Sequence, residues 1–284
     1  MAIFEDILQR TPPGLIYHYT SQTGLLGILK NKCIWATNIH YQNDSKEFQH
    51  ALELSKEVID SLRDNNPSGE EERLLRALKQ TLYSIQTIHI YVSSFSEHKD
   101  MLSQWRGYCP RGNGFSIGLD FAQLKMAIEP QGFRLVPCVY EQYEQRQLVR
   151  ELIDKALASF RIDLARSINI KRALRTRSAE FMNNMITLAP IIKHSTFSEE
   201  REWRAVSFPI PSDHSQVAYR EGVSMLTPYF ILNISTSNAS VPIREVVVGP
   251  TPHMSLSISS VANFMIASNV PPSVTRSNIP FRGW

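Results

Sequence analysis

Residues 197–209, with the sequence FSEEREWRAVSFP, are the part of the chain that says most about its fold and function. The first eight of them hold three carboxylates, two guanidiniums and an indole, and the rest predict a strand that Pro209 ends. Because strand residues alternate between faces, Glu200, Glu202 and Arg204 are predicted to share one face. Two carboxylates on one face repel each other unless a cation or ligand binds them, which makes this strand a candidate for chemistry. A solvated strand with surface ion pairs is an equally open alternative.

A second informative stretch lies near the N-terminus. Residues 15–21, LIYHYTS, alternate and are rich in aromatic side chains, which predicts a strand with His18 and Thr20 on one face. Residues 23–30 predict a short helix, and residues 33–37 predict a second strand. A lone strand histidine is more often a hydrogen-bonded structural residue than a ligand contact, so both interpretations of His18 stay open.

Whole-chain composition limits the class of protein. The chain has 284 residues, 43% of them hydrophobic, which is enough for a sizeable core. Its net charge of +3 is too small for a dedicated nucleic-acid binder but allows a weakly positive cleft for a phosphate-bearing ligand. Three widely spaced cysteines suggest neither a disulfide framework nor a zinc site. With no signal-peptide pattern and no apolar run long enough to span a bilayer, we expect a cytoplasmic protein without a membrane partner.

The predicted elements indicate a single α+β domain over residues 1–284. Its core is predicted to consist of short strands, and helical insertions are expected at about 44–85 and 142–192. The strands after the first two are predicted near 87–96, 115–120, 133–140, 229–234, 245–249 and 273–277, with a last helix near 256–268. We expect these strand side chains to be buried: Trp35, Phe95, Phe115, Ile117 and Val206.

Several common functional motifs are missing from the sequence. It contains no P-loop, no Rossmann glycine fingerprint, no HExxH and no GxSxG. Its eight histidines are scattered, so no metal site is predicted. Residues 161–177 are rich in Arg and Lys, but without interleaved aromatic side chains a solvated face is favoured over a nucleic-acid surface.

Short motifs along nearly the whole chain resemble a bacterial family of unknown function, domain-of-unknown-function family 2971. The matching stretches are residues 17–20, 24–26, 34–37, 43–47, 94–100, 105–108, 114–118, 197–204 and 277–282. Because they occur in order, the chain is identified as a member of that family. The family name implies no activity.

The order of the polar motifs also resembles the ADP-ribosyltransferase superfamily. Residues 18–20 resemble the H-x-T of its first strand, residues 93–96 stand where other members have S-T-S, and residues 200–202 form an E-x-E. The resemblance implies a split β-sheet core. It also implies an enzyme that cleaves the nicotinamide glycosidic bond of NAD and transfers ADP-ribose to a protein, a nucleic acid or water. A toxin or phage-defence setting is compatible with it.

The resemblance assigns a role to each motif residue. Glu202 would stabilise the oxocarbenium-like ribose, and Glu200 would orient or deprotonate the acceptor. His18 would hold the adenosine ribose, braced by Thr20, and Arg106 would clamp the phosphates. The usual paired tyrosines are missing, so Trp105 or Tyr108 would supply the stacking wall. The full set expected to bind NAD is His18, Tyr19, Thr20, Ser94, Ser96, Trp105, Arg106 and Tyr108.

A non-enzymatic binding module is the first alternative. In it, the same cleft holds a nucleotide or a nucleic-acid end, and the Glu–Arg strand is an internal ion network. The enzyme requires His18, Arg106 and Glu202 to converge on one pocket. The network requires Glu200 and Glu202 to pair with cations of the protein itself.

A metal-dependent nuclease or hydrolase is the second alternative. It would use the carboxylates of residues 200–202 with a magnesium ion. Such a site needs a further carboxylate, for which Asp44, Glu47 and Asp100 are the candidates.

Overall fold

The computed structural model describes residues 3–12, 14–42, 45–65, 67–109, 114–222, 224–236 and 241–280, with the side chains of residues 45 and 46 excluded. It has an α+β fold in which helices pack on an open, mostly antiparallel sheet of ten strands. The predicted fold class is therefore confirmed. No helix in these ranges is long and apolar enough to cross a membrane.

The strands follow the predicted order closely. They are β1 (Leu15–Ser21), β2 (Cys33–Asn38), β3 (Tyr91–Ser96), β4 (Gly114–Asp120), β5 (Phe133–Pro137), β6 (Glu202–Ser207), β7 (Val217–Glu221), β8 (Leu226–Asn233), β9 (Ile243–Val248) and β10 (Val274–Arg276). Only β7 was not expected from the sequence, because most of its residues are exposed and polar and it lies at the edge of the sheet.

The helices are α1 (Ile3–Gln9), α2 (Gln22–Asn31), α3 (Ser45–Arg63), α4 (Gly69–Ile85), α5 (Leu102–Tyr108), α6 (Phe121–Ile128), α7 (Gln142–Ala165), α8 (Ile170–Leu188) and α9 (Met254–Ala267). Short 3-10 helices include Ala189–Ile191 and Ser195–Glu200. The sequence did not predict α1, α5 or α6. It also did not predict the break between α7 and α8, where Ser167 has a φ of 59° and Asn169 caps the next helix.

The sheet forks at β3. One edge of β3 pairs with β6 along its length, while the other edge pairs with two strands. Its C-terminal end pairs with β1 through Tyr17 and Ser96, and its N-terminal end pairs with β2 through Thr37 and Val92. Between these contacts β1 and β2 lie on the same edge of β3 without pairing with each other, so the sheet opens between them. We call this opening the fork.

Hydrophobic cores cover both faces of the sheet. One contains side chains from α3, α4, α7 and α8, and the other contains side chains from α2, α6 and α9. Phe95, Phe115, Ile117 and Val206 are buried, as predicted. The prediction for Trp35 was wrong, since 48% of this residue is exposed on a part of the sheet that neither core covers.

Candidate functional site

The three polar motifs lie on or directly beside neighbouring strands. The prediction that Glu200 shares a strand with Glu202 was wrong, because Glu200 ends a 3-10 helix and β6 begins at Glu202. Strand β3 separates β1 from β6, with Tyr17 opposite Ser96 and Ser96 opposite Glu202. The residues of the H-x-T, S-S-F-S and E-x-E stretches are therefore brought together at one end of β3. Two strand spacings of about 4.8 Å separate the backbones of β1 and β6.

The strand register divides these residues between the two faces of the sheet. Side chains directly opposite each other point the same way, so Tyr17, Ser96 and Glu202 share one face. His18 points to the other face, where its ring centroid lies 5.6 Å from that of Phe95. The expectation that His18, Arg106 and Glu202 line one pocket was wrong, because strand alternation places the histidine and the glutamate on opposite faces.

The partly buried His18 side chain lies at the fork. Its Nδ1 is 3.0 Å from the carbonyl oxygen of Ser94, and Nε2 of Gln42 donates to the carbonyl of Val92 at 3.0 Å. These side chains satisfy backbone groups on the edge of β3 where the sheet opens. Burial lowers the pKa of His18, although the bond to Ser94 opposes this shift. Thr20, two residues further along β1, shares the face of His18, whereas the side chain of Ser94 alternates to the face of Ser96; both residues are partly buried.

The two predicted catalytic glutamates belong to a buried group of charges, which we call the ion cluster: Lys193, Glu200, Glu202 and Arg204. Lys193 Nζ lies 2.6 Å from Oε2 of Glu200 and 2.5 Å from Oε2 of Glu202. Arg204 Nε lies 2.7 Å from Oε1 of Glu202, and its Nη1 donates to the carbonyl of Pro190 at 2.6 Å. All four residues are buried. Both carboxylate oxygens of Glu202 are thus bonded to cations of the protein itself.

The electrostatics of the ion cluster favour its charged form. Burial alone would raise the pKa of Glu202, but Arg204 and Lys193 outweigh it and lower the pKa to about 2. Burial likewise opposes the charge on Lys193, yet the neighbouring Glu202 carboxylate raises the pKa of this ammonium above its usual value. Glu202 is therefore ionised at neutral pH and held by two positive charges.

The loop after β3 connects the motif residues. Ser96 Oγ donates to the carbonyl of Glu200 at 2.7 Å and accepts from the amide of His98. Nε1 of Trp203 donates to Oε1 of Glu97 at 2.9 Å. Ser96 therefore positions the turn before β6, a structural role that the NAD-binding assignment did not include.

Trp105 is buried, with 2% of its surface exposed. Its Nε1 donates to Oδ1 of Asp100 at 2.7 Å, and its ring packs edge-on against Tyr19 at 4.7 Å. It also lies against Gly249, where an added Cβ would come within 3.0 Å of the indole. An indole enclosed in this way has no open face for a nicotinamide ring.

Asp100 joins this region to the C-terminal segment. Besides Trp105, its carboxylate accepts from Ser277 Oγ at 2.6 Å and from the backbone amide of Asn278 at 2.7 Å. The proposed phosphate clamp Arg106 and the aromatic Tyr108 are exposed on α5. The structure therefore buries Trp105 and leaves its two neighbours on the surface.

The carboxylates named for a metal site are used elsewhere or lie outside the described ranges. Glu47 lies 3.7 Å from Nη2 of Arg204, and Asp100 binds the C-terminal segment. Asp44 falls outside the described residues. Within the described ranges, no group of three or more His, Cys, Asp or Glu residues is placed to hold a metal ion.

Sequence reasoning missed two members of this region. Lys193 bonds both glutamates, and Tyr140 accepts a hydrogen bond from the amide of Glu202 at 2.9 Å. A weak signal for Lys193 exists, since it directly follows the apolar residues 188–192, a context that predicts burial. Nothing in the sequence indicated that Lys193 pairs with Glu202, because this ion pair depends on a contact between a loop and β6.

Residues 104–205 match the family model described as "Protein of unknown function (DUF2971)". This range runs from α5 to β6 and contains the entire ion cluster. The match supports the predicted relationship to that family. No significant match to a curated protein or to a solved structure was found. The ADP-ribosyltransferase resemblance gains no support from these comparisons.

Proposed function

We propose that this protein is a non-enzymatic module that binds a nucleotide at the fork. The observation that carries this proposal is that both carboxylate oxygens of Glu202 are occupied by Lys193 and Arg204. A carboxylate that stabilises a developing ribose charge has to face the substrate rather than two buried cations. The Glu200–Glu202 pair is then a structural element.

Three features support a nucleotide as the ligand. His18 and Thr20, two of the residues that the resemblance assigns to NAD binding, share one face of β1 beside the fork and are each partly exposed. Hydroxyl and imidazole groups can donate to or accept from ribose and phosphate oxygens. The net charge of +3 also favours an anionic ligand over a cationic one.

Calorimetric titration with NAD⁺, ADP-ribose and AMP tests the proposal. We expect wild type to bind at least one of them without releasing nicotinamide, and His18→Ala to weaken that binding at least tenfold. His50→Ala, an exposed histidine on α3, is the matched control and should bind as wild type does. Absence of binding to all three nucleotides would refute the proposal, as would catalytic release of nicotinamide.

An NAD-cleaving transferase is the second candidate, favoured by the adjacency of β1, β3 and β6. In this reaction the bond between the ribose C1′ and the nicotinamide nitrogen breaks, the acceptor nucleophile bonds to C1′ and loses its proton, and nicotinamide leaves. Incubating labelled NAD⁺ with wild type and a cell lysate tests it through nicotinamide release and label transfer.

The variants of the transferase test follow from the assigned roles. Glu202→Gln should lower turnover by roughly two to three orders of magnitude with NAD⁺ affinity unchanged. Glu200→Gln should reduce transfer to an acceptor while slow hydrolysis persists. The exposed Glu199→Gln is the control for both. Lack of turnover by wild type would remove this candidate and leave the binding module.

A further inference from the structure

An exposed aromatic stack lies beside the fork on β2 and β8. The ring centroids of Trp35 and Tyr229 are 4.3 Å apart with an interplanar angle of 28°. Tyr229 is buried beneath the indole, whereas 48% of Trp35 is exposed. The indole is thus held by a rigid partner on one side and is open to solvent, unlike the buried Trp105 and Trp203.

A single cation lies next to this stack. Arg220 of β7 is exposed, and its Nη2 donates to Oγ1 of Thr37 at 3.3 Å. Thr37 lies directly opposite Tyr229 and shares the face of Trp35, two residues further along β2. The guanidinium therefore lies roughly 7 Å along the strand from the indole. Trp35, Tyr229 and Arg220 together are called the platform below.

The part of this sheet face that β2, β7 and β8 form around the platform is uncharged apart from Arg220. By strand alternation it includes Cys33, Trp35 and Thr37 of β2, Thr227, Tyr229, Ile231 and Asn233 of β8, and Ala218 and Arg220 of β7. No carboxylate occurs among these strand positions, and Glu221 alternates to the opposite face. Arg220 has no ion pair with a carboxylate in the described part of the chain. Its charge is therefore available to an anionic ligand.

The platform faces the same way as Ser94 across the fork. Thr37 pairs with Val92, so continuing that antiparallel register would place Trp35 opposite Ser94. The strands diverge before that pair forms, and the carbonyl of Ser94 bonds to His18 instead. Trp35 and Ser94 therefore lie on the same sheet face, on the two sides of the opening.

We propose that the platform binds the base and phosphate of a nucleoside monophosphate unit, with the base on Trp35 and the phosphate on Arg220. This inference goes beyond the proposed function, because the platform lies on the sheet face opposite His18 and would be a second nucleotide contact. Aromatic side chains stack on the flat face of any nucleobase, and a guanidinium binds phosphate in a bidentate manner. One stacking surface and one cation match a single nucleotide, whereas single-stranded nucleic acid binds along a series of both.

Quenching of tryptophan fluorescence by AMP tests the platform. Stacking on Trp35 should quench the signal in a saturable way, and because the sequence has four tryptophans the Trp35→Ala variant assigns the quenching to this residue. Trp35→Ala should abolish that quenching and, by calorimetry, raise the Kd for AMP about tenfold or more. Arg220→Ala should raise the Kd for AMP but leave that for adenosine unchanged. Tyr143→Ala, which removes a 77% exposed aromatic ring on α7, is the matched control.

The outcomes separate the platform from the proposed function. Nucleotide binding that needs His18 but is unchanged in Trp35→Ala would overturn the platform and leave the proposed function standing. Failure of every nucleotide to bind wild type would overturn both. Inorganic phosphate binding as tightly as AMP would show that the base adds nothing, and an oligonucleotide binding far more tightly would identify a nucleic-acid surface. Either result would overturn the assignment to a mononucleotide.

Discussion

The guanidinium of Arg204 lies 2.7 Å from the carboxylate of Glu202, two residues earlier on the same face of β6. An i to i+2 pair in a strand is adjacent by geometry, so the strand itself presents this cation to the carboxylate. Lys193 then reaches the same carboxylate from a loop and joins it to Glu200. A close pair of glutamates that would repel each other is thereby converted into a stable buried cluster.

Replacing Lys193 tests the ion cluster as a structural element. Lys193→Met keeps the length of the side chain but leaves Glu200 and Glu202 without their shared cation. Breaking a buried ion pair on one side destabilises by about 3–5 kcal/mol. Lys155→Met, which removes an exposed lysine 3.6 Å from Glu5, should change the unfolding free energy by less than about 1 kcal/mol. If both substitutions changed the unfolding free energy equally in urea denaturation, the ion cluster would not be a stabilising element.

The lowered pKa of Glu202 predicts a specific dependence of stability on pH. Its carboxyl has a pKa of about 2 in the folded protein and near 4.5 when unfolded, so the unfolded state binds the proton first. The stabilisation is fully present above about pH 4.5 and is lost as the pH falls through about 2. The difference in unfolding free energy between wild type and Glu202→Gln should therefore shrink over this window. Glu199→Gln, on an exposed residue, should show no such trend in urea titrations.

Asp100 is predicted to hold the C-terminal segment in place. Asp100→Ala removes the acceptor for Trp105, Ser277 and the amide of Asn278, and losing hydrogen bonds to a charged group costs about 1.5–3 kcal/mol. Hydrogen exchange at residues 277–279 should rise in this variant. Asp154→Ala removes a half-exposed carboxylate paired with Arg150 and should leave that exchange unchanged. Unchanged protection of residues 277–279 in Asp100→Ala would show that other contacts retain the segment.

Phe115 and Trp35 were both expected to be buried, and stability measurements should distinguish them. Phe115→Ala leaves a cavity beside β1 and β9 and should destabilise by about 3–5 kcal/mol. Trp35→Ala removes a half-exposed ring and should cost less than Phe115→Ala by at least about 2 kcal/mol. Urea denaturation of both variants measures the difference. Similar losses of unfolding free energy in the two variants would show that Trp35 packs in the core.

Local sequence patterns were sufficient for most of the elements. The alternation in residues 15–21 depends on neighbours a few residues apart, so β1 could be predicted. The exposure of Trp35 could not be predicted. The same pattern of β-branched and aromatic residues fits both a buried strand and a half-covered strand. Whether a helix lies over that strand is set by chain segments far away in the sequence.

The sequence by itself determined that His18, residues 93–96 and residues 200–202 lie on or beside strands, because each stretch has its own period and turn signals. Only the tertiary structure decided that these strands are neighbours, that the register puts His18 and Glu202 on opposite faces, and that Lys193 neutralises both glutamates. The reason is physical. Strand pairing and burial of charge depend on which distant segments meet, and a shift of one residue in register would exchange the two faces. A local sequence pattern therefore cannot predict the register or the pairing of distant charges.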